Sequence, residues 1–330
     1  MVLEANLAYW DPTRFPQLQR IIFDNTISQK EAVEQVKADE GRIDLVTDLS
    51  PLETLRVAQS PAAQVVKNRK ALTTVLGVFN RRKVGSPWHD VRLRQAVNYA
   101  INREDLIQYA TKGNGVIIPA LVPAQGFGYD ADLAPYPFDP ATARRLLLEA
   151  GYDEGLTLSL IASEALQVQA TVVSKMLEQV GFTVDLQILD GAAFNRKTYL
   201  GDLDQPPEHQ PWDIALTSWR DTLNFPVFQV YRAFALDGYN NWGIEDGKLH
   251  QLHDAVLQTV DREQQQALIR QMERHTHDQA YFLFLYNPIE LYAVNKAVAF
   301  VPYVTMLNLA ETSVTEQHWS IRKQKASTPE

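Results

Sequence analysis

The sequence has no cysteine, so disulfide scaffolds, thiolate zinc sites, iron–sulfur clusters and cysteine nucleophiles are excluded by count. It has no run of about eighteen apolar residues, the length a membrane-crossing helix needs. Residues 1–30 show no basic stretch followed by an apolar one, the pattern of a secretory signal. There is no Walker loop, no G-x-G-x-x-G and no G-x-S-x-G, so the motif-bearing enzyme classes find no support. Positive charge is scarce, with 31 Lys and Arg against 40 Asp and Glu and a formal net charge of −9. Neutralising phosphates needs clustered cations, which disfavours nucleic acid as a partner. What is present is ordinary globular composition: 330 residues, 45% hydrophobic and 22% charged. That length suits about two domains.

Strand and helix signals alternate from the start. Residues 20–24 are apolar and β-prone, and Ser28 with Glu31 forms a capping box before a helix carrying Ala32, Val33 and Val36, with Gly41 as its stop. Residues 43–46 predict a strand and Pro51 opens a short helix. The β-branched run 72–79 predicts a strand leaving this sheet for another. Pro87 and Asp90 open a helix with Leu93, Ala96, Val97, Ala100 and Ile101 on one face, and Asn102 caps the next over 103–110.

Residues 113–138 hold four Pro and four Gly, which predicts an extended surface segment. Asp139 and Pro140 start a further helix that Gly151 closes. Alternating residues at 156–160 and 182–188 flank a helix and predict a β-α-β unit. A strand at 212–216, helices near 248–260 and 262–280, and strands at 282–286 and 289–294 split by Pro288 complete the pattern. The tail from Ala326 is predicted to fray.

The seven histidines do not make a metal site: His250-x-x-His253 and His275-x-His277 lack the spacing and acidic partner of a zinc motif. No metal and no cofactor are expected. The segment 212–242 differs in kind. It concentrates Trp212, Trp219, Phe225, Phe228, Tyr231, Phe234, Tyr239 and Trp242 with Arg220, Asp221, Asn224, Asn240 and Asn241, flat apolar surfaces beside polar anchors, as in a ligand cleft.

Several runs then match a known pattern in order. Asp90–Ile107 (DVRLRQAVNYAINREDLI) resembles the signature helix pair of the family-5 extracellular solute-binding proteins, the oligopeptide, dipeptide and nickel group serving ABC importers. Tyr136–Tyr152 (YPFDPATARRLLLEAGY), Asn6–Trp10, Trp212–Trp219 and Asp278–Tyr286 resemble the same family's further landmarks, so the likeness covers nearly the whole chain. The resemblance implies an α/β, two-lobed periplasmic-binding-protein type II-like fold with one complete lobe and one partial lobe. Residues 1–79 would be the second part of lobe I, 80–288 the complete substrate-binding lobe, and 289–330 a return to lobe I. Members normally begin with an export signal and further lobe-I strands, so the chain is expected to lack an N-terminal part. The cut lobe is expected to expose apolar surface.

In peptide-binding members a carboxylate shortly after a tryptophan, in W-x-x-D-Y-x-x-P, holds the ligand's ammonium. Aligned on Trp219 and Pro226, that position falls on Thr222, with Asp221 one place early. Either Asp221 substitutes through a different loop, or the ligand is not a free α-amino peptide and Arg220 suits an anion. The function implied is non-enzymatic: a small solute or peptide is captured between lobes by hinge closure and passed to an ABC permease, with the full-length protein in the periplasm or at the cell surface. Trp219, Asp221 and Trp242 are the first candidate ligand contacts, then Arg220, Asn240 and Asn241. The alternative is the ligand-sensing domain of a cytoplasmic transcription regulator.

Overall fold

Side-chain caps set where the first elements begin. In the computed structural model, which describes residues 1–236 and 238–327, strands β1 (Val2–Glu4) and β2 (Arg20–Ile22) pair antiparallel. Ser28 Oγ accepts the Glu31 N–H at 3.2 Å and opens α1 (Gln29–Val36), which ends well before Gly41. Strand β3 (Leu45–Val46), helix α2 (Thr54–Ala58) and strand β4 (Ala63–Asn68) finish the first segment.

The next residues build a separate unit, Leu72–Pro288, while residues 1–71 and 289–330 form the other. The second unit begins with β5 (Thr73–Phe79), then α3 (Val91–Tyr99) and α4 (Arg103–Thr111), whose caps are Asp90 and Asn102. Strand β6 (Gly115–Ile117), α5 (Pro140–Glu149), β7 (Leu156–Ser163), α6 (Gln167–Glu178), β8 (Phe182–Leu189) and α7 (Gly191–Thr198) follow. Strand β9 (Ile214–Arg220) leads to a π-helical turn (Val227–Tyr231) that runs into α8 (Arg232–Phe234). Helices α9 (Gly247–Gln258) and α10 (Arg262–Asp278) precede β10 (Phe282–Pro288). Back in the first unit are β11 (Glu290–Asn295), β12 (Val298–Ala299), β13 (Ser313–Val314) and α11 (Trp319–Ser327). The tail expected to fray from Ala326 instead continues α11 through Ser327, and residues 328–330 lie outside the described residues.

The larger sheet has the order β6-β10-β5-β9-β7-β8, with β7 parallel to β8 and β9, and β5 antiparallel to β9 and β10. Strand period two divides its residues between two cores. Val75, Phe79, Leu283 and Leu285 meet Leu93, Val97, Leu147 and Val173 from α3, α5 and α6. Leu76, Val78, Phe282 and Phe284 meet Tyr231, Phe234, Ile269 and Met272 on the other face. The smaller unit has β11 between β3 and β4, with Val33, Val36 and Val57 packed on Leu291 and Ala293. Strand β5 lies wholly in the second unit because its partners are β9 and β10, and that unit begins at Leu72.

Residues 113–138 are not the surface segment their composition predicts. Ile118, Ala120, Leu121 and Val122 are at most 2% exposed. An extended chain outside a ladder is buried only if its backbone groups find partners. Thr74 Oγ1 donates to the Leu121 carbonyl at 3.3 Å, and the Val122 N–H donates to Glu273 Oε2 at 2.8 Å. Glu273, on α10, also accepts from the Tyr231 hydroxyl, and burial pushes its carboxyl up to about 7.

A second polar cluster joins α3 and α4 to the start of β10. Arg103 is 2% exposed, and its Nε donates to the Phe284 carbonyl at 2.7 Å. Its Nη1 donates to the carbonyls of Asn98, Ile101 and Tyr136, and its Nη2 to Asn98 Oδ1. Asn98 Nδ2 donates to the Phe282 carbonyl at 2.9 Å, while its Oδ1 accepts the Phe284 N–H at 3.1 Å. Arg94 donates to the carbonyls of Trp88, Gln279 and Ala280.

Arg103→Leu strands these buried acceptors and should lower unfolding free energy by roughly 3–5 kcal/mol in urea titrations, with Arg103→Lys intermediate; a loss below about 1 kcal/mol would contradict the clamp. A second expectation concerns Glu273, whose folded value of about 7 lies above its ordinary one. Its neutral form therefore stabilises the fold below the unfolded value, and that contribution is lost as pH rises toward 7. Unfolding measured from pH 5 to 8 should show Glu273→Gln gaining on the wild type by about 3 kcal/mol across that window; parallel pH curves would refute it.

Candidate functional site

The face of the larger sheet opposite α3–α6 carries a cavity of about 350 Å³. One wall is β9, where Ala215, Thr217 and Trp219 share a face, with Ser218 between them on the other side of the pleat. The opposite wall is α7, begun by Asp190, whose carboxylate accepts the Ala193 N–H at 2.8 Å. Phe194, Asn195 and Thr198 line the cavity from this helix, and Tyr199 follows it.

Two buried indoles hold the end of α7. Trp212 Nε1 donates to the Lys197 carbonyl at 2.8 Å and Trp242 Nε1 to the Thr198 carbonyl at 3.0 Å, satisfying acceptors the helix leaves open at its C-terminus. Their rings meet edge-on at 4.4 Å, and Trp219 meets Phe234 in the same manner at 4.7 Å.

The loop after α8 supplies the third wall. Asn241 Oδ1 accepts the N–H groups of Gly243 and Ile244, and its Nδ2 donates to the Leu236 and Ile244 carbonyls. Gly243 sits at φ +98, and a Cβ there would lie 2.9 Å from Arg81 Cβ, so only glycine suits the turn. This turn presents Tyr239, Asn240 and Trp242 to the cavity.

The six residues predicted from sequence thus divide. Trp219, Asn240 and Trp242 line the same cavity. Asn241 is buried with its amide fully engaged in the turn, so it shapes the wall rather than facing the space. Arg220 is half-buried, follows Trp219 on the opposite side of the pleat and lines neither cavity described here. Asp221 borders a separate space of about 10 Å³, shared with Trp219, Leu121 and Pro226, room for about one water.

Asp221 is 5% exposed, and its N–H donates to the Leu72 carbonyl at 2.9 Å. Burial raises its carboxyl from the usual aspartate range, while backbone N–H groups of Phe225, Leu223 and Asn224 pull the other way. No cation among the described residues offsets that burial. Thr222, the alternative position, is half-buried.

The residues missed by sequence reasoning include Phe194, Asn195 and Thr198 of α7 and Tyr199 just after it. Asp190 ahead of an eight-residue segment was the available signal, a helix N-cap that the polar stretch at 201–211 obscured. Of the histidines, His275 Nε2 bonds Asp246 at 2.6 Å, and His277 stacks on Tyr136 at 4.3 Å. No group of three or more potential metal ligands occurs among the described residues.

The profile of the bacterial extracellular solute-binding proteins, family 5 Middle, matches residues 1–241. The Dipeptide-binding protein of Escherichia coli K12 is 29% identical over 154 residues, 47% of this chain and 28% of its own. The Glutathione-binding protein GsiB of Pectobacterium atrosepticum is 27% identical over 245 residues, 70% of this chain and 46% of its own. The chain therefore spans less than half the length of either relative. Among solved structures, the periplasmic binding protein DppA of Helicobacter pylori with the peptide STSA superposes with a TM-score of 0.77 at 20% identity. That match covers 95% of this chain and 60% of DppA. The oligopeptide-binding protein AppA of Bacillus subtilis with a nonapeptide gives 0.76 at 19% identity, covering 95% and 64%. The α/β periplasmic-binding-protein fold implied by the sequence is the fold of these structures, with coverage that fits one lobe being partial.

Proposed function

The chain belongs to the bacterial extracellular solute-binding proteins of family 5, and from that membership we propose that it is part of the substrate-binding component of an ABC importer. Its ligand is a peptide or peptide-like solute, its partner a membrane permease, and its place the periplasm or cell surface. The second unit is proposed as the complete lobe and the first as the partial one, and the hinge closure expected from the sequence belongs to this proposal. We read the protein as capturing its solute without transforming it. The relatives named above are binding proteins and give the transcription-regulator reading no support.

The observation that carries the proposal is the large cavity, several of whose polar side chains are not used by the fold. Asn195, Asn240 and Thr217 line it and make no side-chain hydrogen bond among the described residues. Trp219 Nε1 is buried and finds no acceptor. Polar groups left open beside flat apolar walls are what a reversible binding site requires. Asp221 supplies the second element: a desolvated carboxylate without a cation gains from the arrival of a ligand ammonium.

Calorimetry with Ala-Ala, Ala-Ala-Ala and their N-acetylated forms tests this reading. Free-amine peptides should bind at least ten-fold more tightly than acetylated ones, and Asp221→Asn should erase that difference. Equal affinity of the two forms removes Asp221 as the anchor. Absence of any heat or thermal stabilisation from the whole set removes the peptide reading itself.

A further inference from the structure

The cavity between β9, α7 and the 239–242 turn has a composition narrower than general peptide capture needs. Among the described residues that line it, none is Asp, Glu, Lys, Arg or His. A charged group entering it would lose its hydration and meet no counter-charge, a cost that neutral ligands avoid. Its walls are instead aromatic: Phe194, Tyr199, Trp219, Phe234 and Tyr239 face it alongside the indoles that hold α7.

Two of these rings are placed where a ligand would enter. Tyr199 and Tyr239 are 41% and 44% exposed, unlike the buried Phe194, Trp212, Phe234 and Trp242. Their centroids stand 5.2 Å apart, and Tyr239 lies 6.0 Å from the Trp219 ring. Leaving such surface in water is unfavourable, and a flat ring laid against it removes that cost while gaining the offset contacts aromatic pairs prefer. The volume of about 350 Å³ sits at the small end of the roughly 300–1,000 Å³ of small-molecule sites. An alanine or valine side chain would leave most of it empty.

The polar groups define the rest of the ligand. The amides of Asn195 and Asn240 and the hydroxyl of Thr217 offer donors and acceptors without charge, and the Trp219 indole N–H lacks an acceptor. A polar atom on the ring, such as a phenol oxygen, answers them. A sugar is the weaker fit, since its many hydroxyls meet no carboxylate among the described lining residues.

We propose that this cavity is a specificity pocket for a large, uncharged, planar ring carrying a polar substituent, namely a tyrosine or tryptophan side chain of the ligand. It rests on the peptide reading above, and it adds that side-chain identity matters at one ligand position. The pocket selects by exclusion of charge as much as by attraction of the ring.

The test is a tripeptide series in an alanine background with Tyr, Trp, Lys, Glu or Ala placed in turn at each of the three positions, measured by calorimetry on the full chain. In parallel, 4-methylphenol, 3-methylindole and methyl glucoside are titrated by tryptophan fluorescence. At one position Tyr and Trp should bind at least ten-fold more tightly than Ala, Lys and Glu. Tyr239→Ala should lower affinity for the tyrosine peptide at least five-fold. Thr217→Glu, on the same face of β9 as Trp219, should shift the Lys-to-Tyr affinity ratio at least ten-fold toward Lys.

If peptides bind with no preference at any position, or charged side chains match Tyr, the pocket assignment is overturned while peptide capture stands. If no peptide binds but the two ring compounds do, saturably and more weakly in Tyr239→Ala, the pocket assignment stands and peptide capture falls. Tighter binding of methyl glucoside than of the ring compounds, or no binding by any probe, overturns the assignment as well.

Discussion

The second unit depends on a guanidinium group. Arg103 reaches from the start of α4 across the sheet's edge to the Phe284 carbonyl, and Asn98 completes the link by bonding Phe282 and Phe284. These bonds fix where β10 begins, and β10 in turn lies between β6 and β5. A shift of one residue there would exchange Phe282 and Phe284 with Leu283 and Leu285 and send the wrong side chains to each core. Burial draws the Arg103 guanidinium down to about 10, so it remains charged at neutral pH. Its attraction for the carbonyl oxygens around it is therefore that of an ion, not of a neutral donor.

This explains a division of labour within the sequence. The run from Asp90 to Ile107 is the most recognisable stretch of the chain, yet its polar members Arg94, Asn98 and Arg103 face backbone oxygens and not the cavity. It belongs to α3 and α4, which cover one face of the sheet, while the cavity opens on the other. The motif therefore announces the fold and is silent about the solute. The cavity, by contrast, is lined by residues whose individual identity the sheet does not dictate, which is where members of one fold are free to differ.

Legibility of the sequence followed the range of the interactions involved. The caps at Ser28, Asp90, Asn102 and Asp139 are read correctly because cap and helix lie within four residues of each other. Strand β4 gave no clear signal, since its partner β11 lies more than two hundred positions away and its alternation is weak. The segment 113–138 misled for the opposite reason: proline and glycine correctly excluded regular structure, but exposure was decided by Thr74 and Glu273, which no local window contains. Within the site, the aromatic concentration pointed to Trp219, Asn240 and Trp242, whereas the role of Asn241 as a turn-former required knowing which groups its amide meets. Helix α7 was invisible because eight residues with only Phe194 buried carry too little periodicity.

The three-stranded sheet of the first unit places β11 between β3 and β4, so strands drawn from residues 45–68 wait for residues 290–295. On a ribosome the intervening unit, continuous from Leu72 to Pro288, is available to fold first, as its strands and helices emerge together. The opening segment meanwhile has its apolar residues Val33, Val36 and Val57 without the Leu291 and Ala293 that cover them. Closing a loop of that length costs little more entropy than a shorter one, but it cannot begin until residues 290–295 have been made. Residues 45–68 thus reach their final pairing only after the unit that follows them in sequence has become free to fold.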